Sequence, residues 1–139
     1  MSLSIRNRLP GTVVSVTPGE VMATVKVRLD AGQEITAAVT LEAVRELGLA
    51  SGSAVQALVK ATEVSLATGP VEGLSIRNRL PGTVTDVTSG GAMAQVKVRV
   101  AGGELTSAIT RDAVAELGLE AGSEVVALVK STEVSLANA

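Results

Sequence analysis

Hydrophobic and polar residues alternate along the first part of the chain with the two-residue period of a half-buried strand. Three segments carry this pattern: β-branched residues 12–16, strictly alternating residues 23–29, and residues 34–39. Pro18-Gly19 and the polar residues 30–33 separate them, as turn-forming residues do. The pattern therefore predicts three short strands joined by tight turns.

The period then changes to that of a helix. Thr40 is a favoured N-cap residue, and Leu41, Val44 and Leu47 are spaced to share one helical face. Gly48 follows as a residue that ends a helix. Two further apolar segments, residues 54–60 and 62–67, predict a fourth strand and a fifth that closes the unit.

This series of elements is present twice. Residues 3–13 return letter for letter as residues 74–84, and residues 62–67 return as residues 132–137. The second repeat is one residue shorter than the first, in the turn after its second strand. Insertions and deletions are tolerated best in exposed turns. We therefore predict two tandem domains, residues 1–68 and residues 69–139.

The order within each repeat is strand, hairpin, strand, short helix, strand, strand. Many short strands with one late helix favour an all-β fold built from two small closed barrels of the oligonucleotide/oligosaccharide-binding (OB) type. Periodicity does not give the register, so a β-sandwich fragment covered by a helix is also compatible with this order.

The composition excludes several classes of function. The 139 residues include no Cys and no His, which removes disulfides, thiolate nucleophiles and the commonest general base. An enzyme is therefore the least favoured reading. The 12 basic and 14 acidic residues give a net charge of -2, so no overall field attracts nucleic acid.

The core must be aliphatic, because the chain contains no Phe, Tyr or Trp. Small aliphatic side chains bury little area each, so we expect oligomerisation to add stability. No signal peptide is visible, and no apolar run approaches the roughly 20 residues of a membrane span. We expect a cytoplasmic protein without a membrane partner.

The duplicated segment is rich in hydrogen-bond donors and holds no acidic residue, a composition suited to an anion. Ser4 and Arg6 would share one face of a strand. A helix start at Thr40, with the backbone amide of Ala43, and the strand-end Lys60 offer further donors. The second repeat offers the equivalent residues Ser75, Arg77, Thr110, Ala113 and Lys130, followed by Ser131. Each feature alone also fits an ordinary N-cap or a solvated lysine, and Pro10-Gly11 and Pro81-Gly82 fit turns.

Residues 4–13, Ser-Ile-Arg-Asn-Arg-Leu-Pro-Gly-Thr-Val, resemble the Ser-Ala-Arg-Asn-Gln-hydrophobic-x-Gly-x-Val opening of the Mop domain, the unit of the molbindins. Residues 38–40, 47–49 and 58–64 fit the same family pattern, and the second half repeats it. The chain departs from the pattern at Ile5 and Ile76 in place of Ala, at Arg8 and Arg79 in place of Gln, and at Ala43 and Ala113, where some members have Ser. Ala61 also contrasts with Ser131, so the two repeats are not expected to have identical sites.

The resemblance implies OB-type barrels that bind molybdate, with tungstate as a near-isostere, for molybdenum storage and homeostasis. It further implies a homotrimer whose oxyanion sites lie at contacts between lobes and subunits. The ligands carried over by position are Ser4, Arg6, Thr40, the amide of Ala43, Lys60 and the amide of Ala61, then Ser75, Arg77, Thr110, the amide of Ala113, Lys130 and Ser131. Asn7 and Asn78 would contribute to sites on the symmetry axis.

Two alternatives belong to other classes of function. An OB-type barrel can bind nucleic acid, but this chain lacks the aromatic stacking platforms and the basic surface of that class. A regulatory or transport module that reads molybdate for a partner is the other alternative. The sequence contains no DNA-binding helix pair and no phosphate-binding loop of the P-loop type, so such a module would act on a separate protein.

Overall fold

The computed structural model describes residues 1–139 and contains the predicted series of elements twice. The first repeat comprises β1 (Asn7–Pro18), β2 (Met22–Leu29), β3 (Glu34–Thr40), α1 (Leu41–Leu47), β4 (Ala54–Val59), a 3₁₀ turn (Ala61–Glu63) and β5 (Ser65–Ala67). The second comprises β6 (Asn78–Ser89), β7 (Met93–Val100), β8 (Gly103–Thr110), α2 (Arg111–Leu117), β9 (Glu124–Val129), a 3₁₀ turn (Ser131–Glu133) and β10 (Ser135–Asn138). The predicted all-β fold with one short helix per repeat is confirmed. Neither helix has the length and apolar character needed to cross a membrane.

The ten strands form two antiparallel five-stranded sheets. Their strand orders are β10-β4-β1-β2-β3 and β5-β9-β6-β7-β8. Each sheet curls so that its two outer strands approach each other, β10 near β3 and β5 near β8, and a 3₁₀ turn packs against the third strand. This curling gives the two tandem barrels that the order of elements predicted.

The last strand of each repeat completes the sheet of the other repeat. β10 pairs with β4 through Ser135 opposite Leu58, and β5 pairs with β9 through Ser65 opposite Leu128. The prediction that residues 62–67 close their own unit is therefore wrong. Both final strands contain the same Ser-Leu-Ala sequence, so the local pattern does not distinguish the two pairings.

Two buried asparagine side chains join the repeats near these crossing points. The Asn7 carboxamide donates from Nδ2 to the Thr106 carbonyl oxygen at 2.9 Å and accepts from the Thr106 amide at 2.7 Å. Asn78 makes the same pair of bonds to Thr36, both at 2.8 Å. Each carboxamide thus acts as a short piece of strand edge toward the other repeat.

Gly11 and Gly82 lie inside strands, so the prediction of turns at Pro10-Gly11 and Pro81-Gly82 is wrong. Gly11 pairs with Leu29 on one side and with Val55 on the other. A Cβ at this position would lie 2.6 Å from the Arg28 carbonyl oxygen. Glycine is therefore required by the close approach of two strands in a tightly curled sheet.

Buried aliphatic residues from both repeats form one connected core. Val25 and Val27 of β2 and Val96 and Val98 of β7 are fully buried. The predicted alternation of β2 is confirmed, because its Ala and Val positions and Leu29 are buried and the intervening residues are exposed. Since the core is continuous across the repeats, neither half has a core of its own.

The turns that differ in length between the repeats lie against each other. A Cβ on Gly102 would collide with Ala31 of the first repeat. Gln33, in the longer turn, donates from Nε2 to the Ala101 carbonyl oxygen at 3.1 Å. The difference in length therefore falls where the two hairpin ends meet, and Gln33 bridges them.

We expect Asn7→Ala to lower the free energy of unfolding by about 2–4 kcal/mol, because it leaves the amide and carbonyl of Thr106 buried without partners. Urea denaturation followed by far-UV circular dichroism measures the change. Asn138→Ala is the matched control, since that side chain is exposed and makes no hydrogen bond. Equal stability of the two variants would contradict the proposed role of the carboxamide.

We expect a protein made of residues 1–68 to be a folded dimer and not a folded monomer. Without the second repeat, β4 loses β10 and β5 loses β9, but two copies can exchange their last strands as the two repeats do. Light scattering gives the mass, and circular dichroism gives the strand content. A folded monomer at micromolar concentration would show that the exchange is not needed.

Candidate functional site

The strand register of the second repeat brings its early arginine next to its late lysine. Asn78 pairs with Val129, so Arg77 and Lys130, the residues just outside this pair, leave the same end of two neighbouring strands. A cavity of about 270 Å³ opens at this point. Its lining residues are Ser75, Ile76, Arg77, Lys130, Ser131 and Thr132. Four of the predicted oxyanion ligands of this repeat therefore lie around one space.

The first repeat has the same register but no equivalent cavity. Asn7 pairs with Val59, which leaves Arg6 and Lys60 at the same end of β1 and β4. None of the four cavities in the chain is lined by Ser4, Arg6, Lys60 or Ala61. The two repeats thus share the placement of their cations.

The cavity of the second repeat carries positive charge without a carboxylate. Arg77 and Lys130 line it, and no acidic residue does. The one ion pair in the chain joins Arg28 to Glu34 at 3.7 Å, so neither cation of the cavity is neutralised within the chain. No group of His, Cys, Asp or Glu side chains is placed to hold a metal cation. This donor set suits an anion.

Arg77 is held by the backbone of its own segment. Its Nε donates to the Ser75 carbonyl oxygen at 3.0 Å, and its Nη2 donates to the Leu74 carbonyl oxygen at 2.9 Å. Arg6 makes the equivalent two bonds in the first repeat. A guanidinium has five N–H groups, so three remain for a ligand after the side chain has been oriented.

Arg79 has a structural role that the sequence did not indicate. Its guanidinium donates to the carbonyl oxygens of Ile76, Val71 and Leu74 at 3.1, 3.0 and 2.8 Å. These bonds fix the segment that carries Ser75. Within the family pattern this position stood out only as a departure from Gln, so its function as a backbone clamp required the structure.

Thr132 is a cavity residue that was missing from the predicted set. Its side chain is exposed and lies on the 3₁₀ turn directly after Ser131. The signal available in the sequence was the unchanged recurrence of residues 62–67 as residues 132–137. That recurrence suggested only a strand.

The helix starts lie outside this cavity. Thr110 is not among the residues that line it, and its Oγ1 accepts a hydrogen bond from the Ala113 amide at 3.1 Å. Thr40 caps α1 in the same way through the Ala43 amide. The expectation that these two amides are free for an anion is therefore wrong, because both are used by the helix caps. The threonine hydroxyl protons remain available as donors.

The asparagines predicted to act on a symmetry axis are buried inside the chain. Asn7 is 1% exposed and Asn78 is 3% exposed. Both ends of each carboxamide are bonded to the other repeat, to Thr106 and Thr36 respectively. The structure therefore gives these residues a role in joining the repeats, and it does not present them to a ligand.

These features define a class of protein: a duplicated all-β fold whose halves exchange their last strands. Comparison with known families agrees, since the TOBE domain matches residues 3–66 and again residues 74–136. The chain belongs to the TOBE domain family, in a tandem arrangement. The resemblance of the duplicated segment to the Mop domain is confirmed by the relatives that follow.

Two bacterial relatives are similar over nearly the whole chain. The molybdenum-pterin-binding protein MopB of Rhodobacter capsulatus is 42% identical over 136 residues, which are 96% of this chain and 50% of that protein. The molybdenum transport protein ModE of Azotobacter vinelandii is 38% identical over 138 residues, 99% of this chain and 51% of that protein. The chain thus spans about half the length of these relatives.

A solved structure is similar over the full length of both chains. The cytoplasmic molybdate-binding protein ModG, in a crystal form with molybdate bound, superposes with a TM-score of 0.97 and is 42% identical, with 100% of each chain covered. The tandem barrel architecture is therefore that of a known molybdate-binding protein.

We expect Thr110→Ala to lower the free energy of unfolding by about 1 kcal/mol, because the Ala113 amide loses its cap acceptor. Thr132→Ala is the matched control: its hydroxyl is exposed and makes no hydrogen bond within the chain. Thermal denaturation in a buffer free of oxyanions measures both. A stability loss confined to Thr132→Ala would contradict the assignment of Thr110 as the cap.

Proposed function

We propose that this protein binds molybdate, with tungstate as a near-isostere, and serves molybdenum storage and homeostasis in the cytoplasm without catalysing a reaction. The observation that carries this proposal is the cavity with two unpaired cations, Arg77 and Lys130, and no carboxylate. The full-length similarity to ModG, crystallised with molybdate bound, and the similarity to MopB support the choice of ligand.

The chemistry of the cavity matches a tetrahedral dianion. Molybdate offers only acceptor oxygens, so its partners must be donors, and Arg77 and Lys130 together balance its two negative charges. The hydroxyls of Ser75 and Ser131 add neutral donors. Hydrogen phosphate carries a proton that requires an acceptor, so a cavity of donors should disfavour it by about 1–3 kcal/mol.

The proposed ligand set follows the repeat. It consists of Ser4, Arg6, Thr40, Lys60 and the Ala61 amide in the first repeat, and of Ser75, Arg77, Thr110, Lys130 and Ser131 in the second. Ala43 and Ala113 act indirectly, since each amide donates to the threonine oxygen and leaves the hydroxyl proton available as a donor. The amide of Ala61 has no partner within the chain and is retained as a donor.

Completion of each site by another lobe or subunit is part of the proposal. The helix starts are not in the arginine–lysine cavity, so a neighbouring chain would have to bring Thr40 or Thr110 to it. The carbonyl of Val21 anchors α1 through the Leu41 amide, yet its side chain is 72% exposed. The next residue, Met22, is 45% exposed, and its counterpart in the second repeat, Met93, is 47% exposed. A homotrimer would cover these apolar side chains.

A second candidate is a sensing unit that reports molybdate to a partner protein. The similarity to ModE over 99% of this chain favours it, because ModE contains a comparable stretch within a longer protein. A nucleic-acid-binding role has no such support, since the chain lacks aromatic residues altogether. A molybdate-dependent complex with a second protein would favour sensing over storage.

We expect the wild-type protein to take up molybdate, and the double variant Arg6→Ala/Arg77→Ala to bind it about tenfold to a hundredfold more weakly at each site. The reason is the loss of a charge-assisted bond worth about 1.5–3 kcal/mol from each class of site. Isothermal titration calorimetry measures both affinities, and sulfate and phosphate serve as competing anions. Phosphate should compete least.

Arg99→Ala is the matched control for this titration. Arg99 is exposed on β7, carries the same charge, and makes no hydrogen bond or ion pair in the chain. Its replacement should leave the affinity within about twofold of wild type, since surface charges contribute little. Equal affinity of the double variant and this control would remove the arginines from the site.

A further inference from the structure

The two lysine-bearing loops are built alike except for one buried hydroxyl behind the first. After Lys60, the Glu63 amide donates to the Lys60 carbonyl oxygen at 2.9 Å and the Val64 amide donates to the Ala61 carbonyl oxygen at 3.4 Å. After Lys130 the corresponding two bonds have the same lengths. The backbone of the loops therefore provides no difference between the repeats.

Ser107 provides the difference. Its side chain on β8 is fully buried, and its Oγ donates to the Val64 carbonyl oxygen at 2.7 Å, across the boundary between the repeats. Val64 ends the 3₁₀ turn that follows Lys60. The residue at the equivalent position of β3 is Ala37, and no side chain donates to the carbonyl of Val134. One loop is thus bonded at its base and the other is not.

We propose that Ser107 is a positioning residue for Lys60, and that it makes the two classes of oxyanion site unequal in rigidity. The inference rests on the proposed molybdate function. A loop that is already ordered loses less conformational entropy when an anion binds, so its affinity rises without a new contact to the ligand. The Lys130 loop lacks this bond but has Ser131, whose hydroxyl lies in the cavity wall where the first repeat has Ala61.

The rigidity difference is measured first without any ligand, by hydrogen exchange on the full chain. In the wild type, the amides of Glu133 and Val134 should exchange about threefold to tenfold faster than those of Glu63 and Val64. Ser107→Ala should abolish this difference by accelerating the first-repeat amides. Equal exchange of the two loops in the wild type would overturn the proposal.

Molybdate titration of the full chain then tests the consequence for binding. In a Lys130→Ala background, which retains the first-repeat sites, Ser107→Ala should weaken molybdate binding about threefold to tenfold. In a Lys60→Ala background, the same substitution should change the affinity by less than about twofold. Ala37→Ser places a hydroxyl at the equivalent position of the first repeat, so it should tighten molybdate binding in the Lys60→Ala background.

Val98→Ala is the control for a general loss of stability. It removes buried volume from β7 in the same sheet as Ser107, at a position paired with Val84 and Leu105 and outside both loops. Ser107 has only a structural role if Val98→Ala lowers the molybdate affinity of the first-repeat sites as much as Ser107→Ala does. The same conclusion follows if Ser107→Ala lowers the affinity of the Lys60 and Lys130 sites equally. Absence of molybdate uptake by the wild type would instead refute the proposed function. The hydrogen-exchange rates would still show whether Ser107 makes the Lys60 loop more rigid than the Lys130 loop.

Discussion

The reciprocal exchange of β5 and β10 between the repeats is the constraint on which the arrangement of the molecule depends. Each 3₁₀ turn links a strand of one sheet to a strand of the other, so the lysine before it lies at the point where the chain crosses over. The positions of Lys60 and Lys130 are therefore set by inter-repeat pairing. The proposed site is located where the fold is most tightly specified, as preorganised binding requires.

The duplicated segment meets several structural demands, and these account for much of its identity between the repeats. Asn78 joins the repeats, Arg79 clamps the backbone that precedes it, and Gly82 permits two strands to approach closely. None of these roles uses the hydroxyl of Ser75, and Arg77 retains three free N–H groups after it has bonded its own backbone. Ser75 and Arg77 are thus the members of the segment that line the cavity and have donors left for a ligand.

The helices and strands could be predicted from the local sequence pattern, but the pairing of the last strands could not. Alternation gave β2, and the Thr40 cap with Gly48 gave the limits of α1, because these signals depend on nearest neighbours along the chain. The strand exchange depends on a choice between two identical Ser-Leu-Ala strands, which no local signal decides. At the site, the strand register places Arg77 and Lys130 next to each other, as the sequence predicted. The hydrogen bond from the Ala113 amide to the Thr110 cap could be seen only in the structure.

Two of the differences between the repeats create contacts from one repeat to the other. Gln33 belongs to the longer turn and bonds the shorter one, and Ser107 bonds the loop that carries Lys60. Each of these bonds has no symmetric counterpart, since the chain offers only one such side chain. A duplicated chain can therefore change one site through a residue in the other repeat, which an assembly of identical single repeats cannot do. That freedom gives a physical reason for joining the two repeats in one polypeptide.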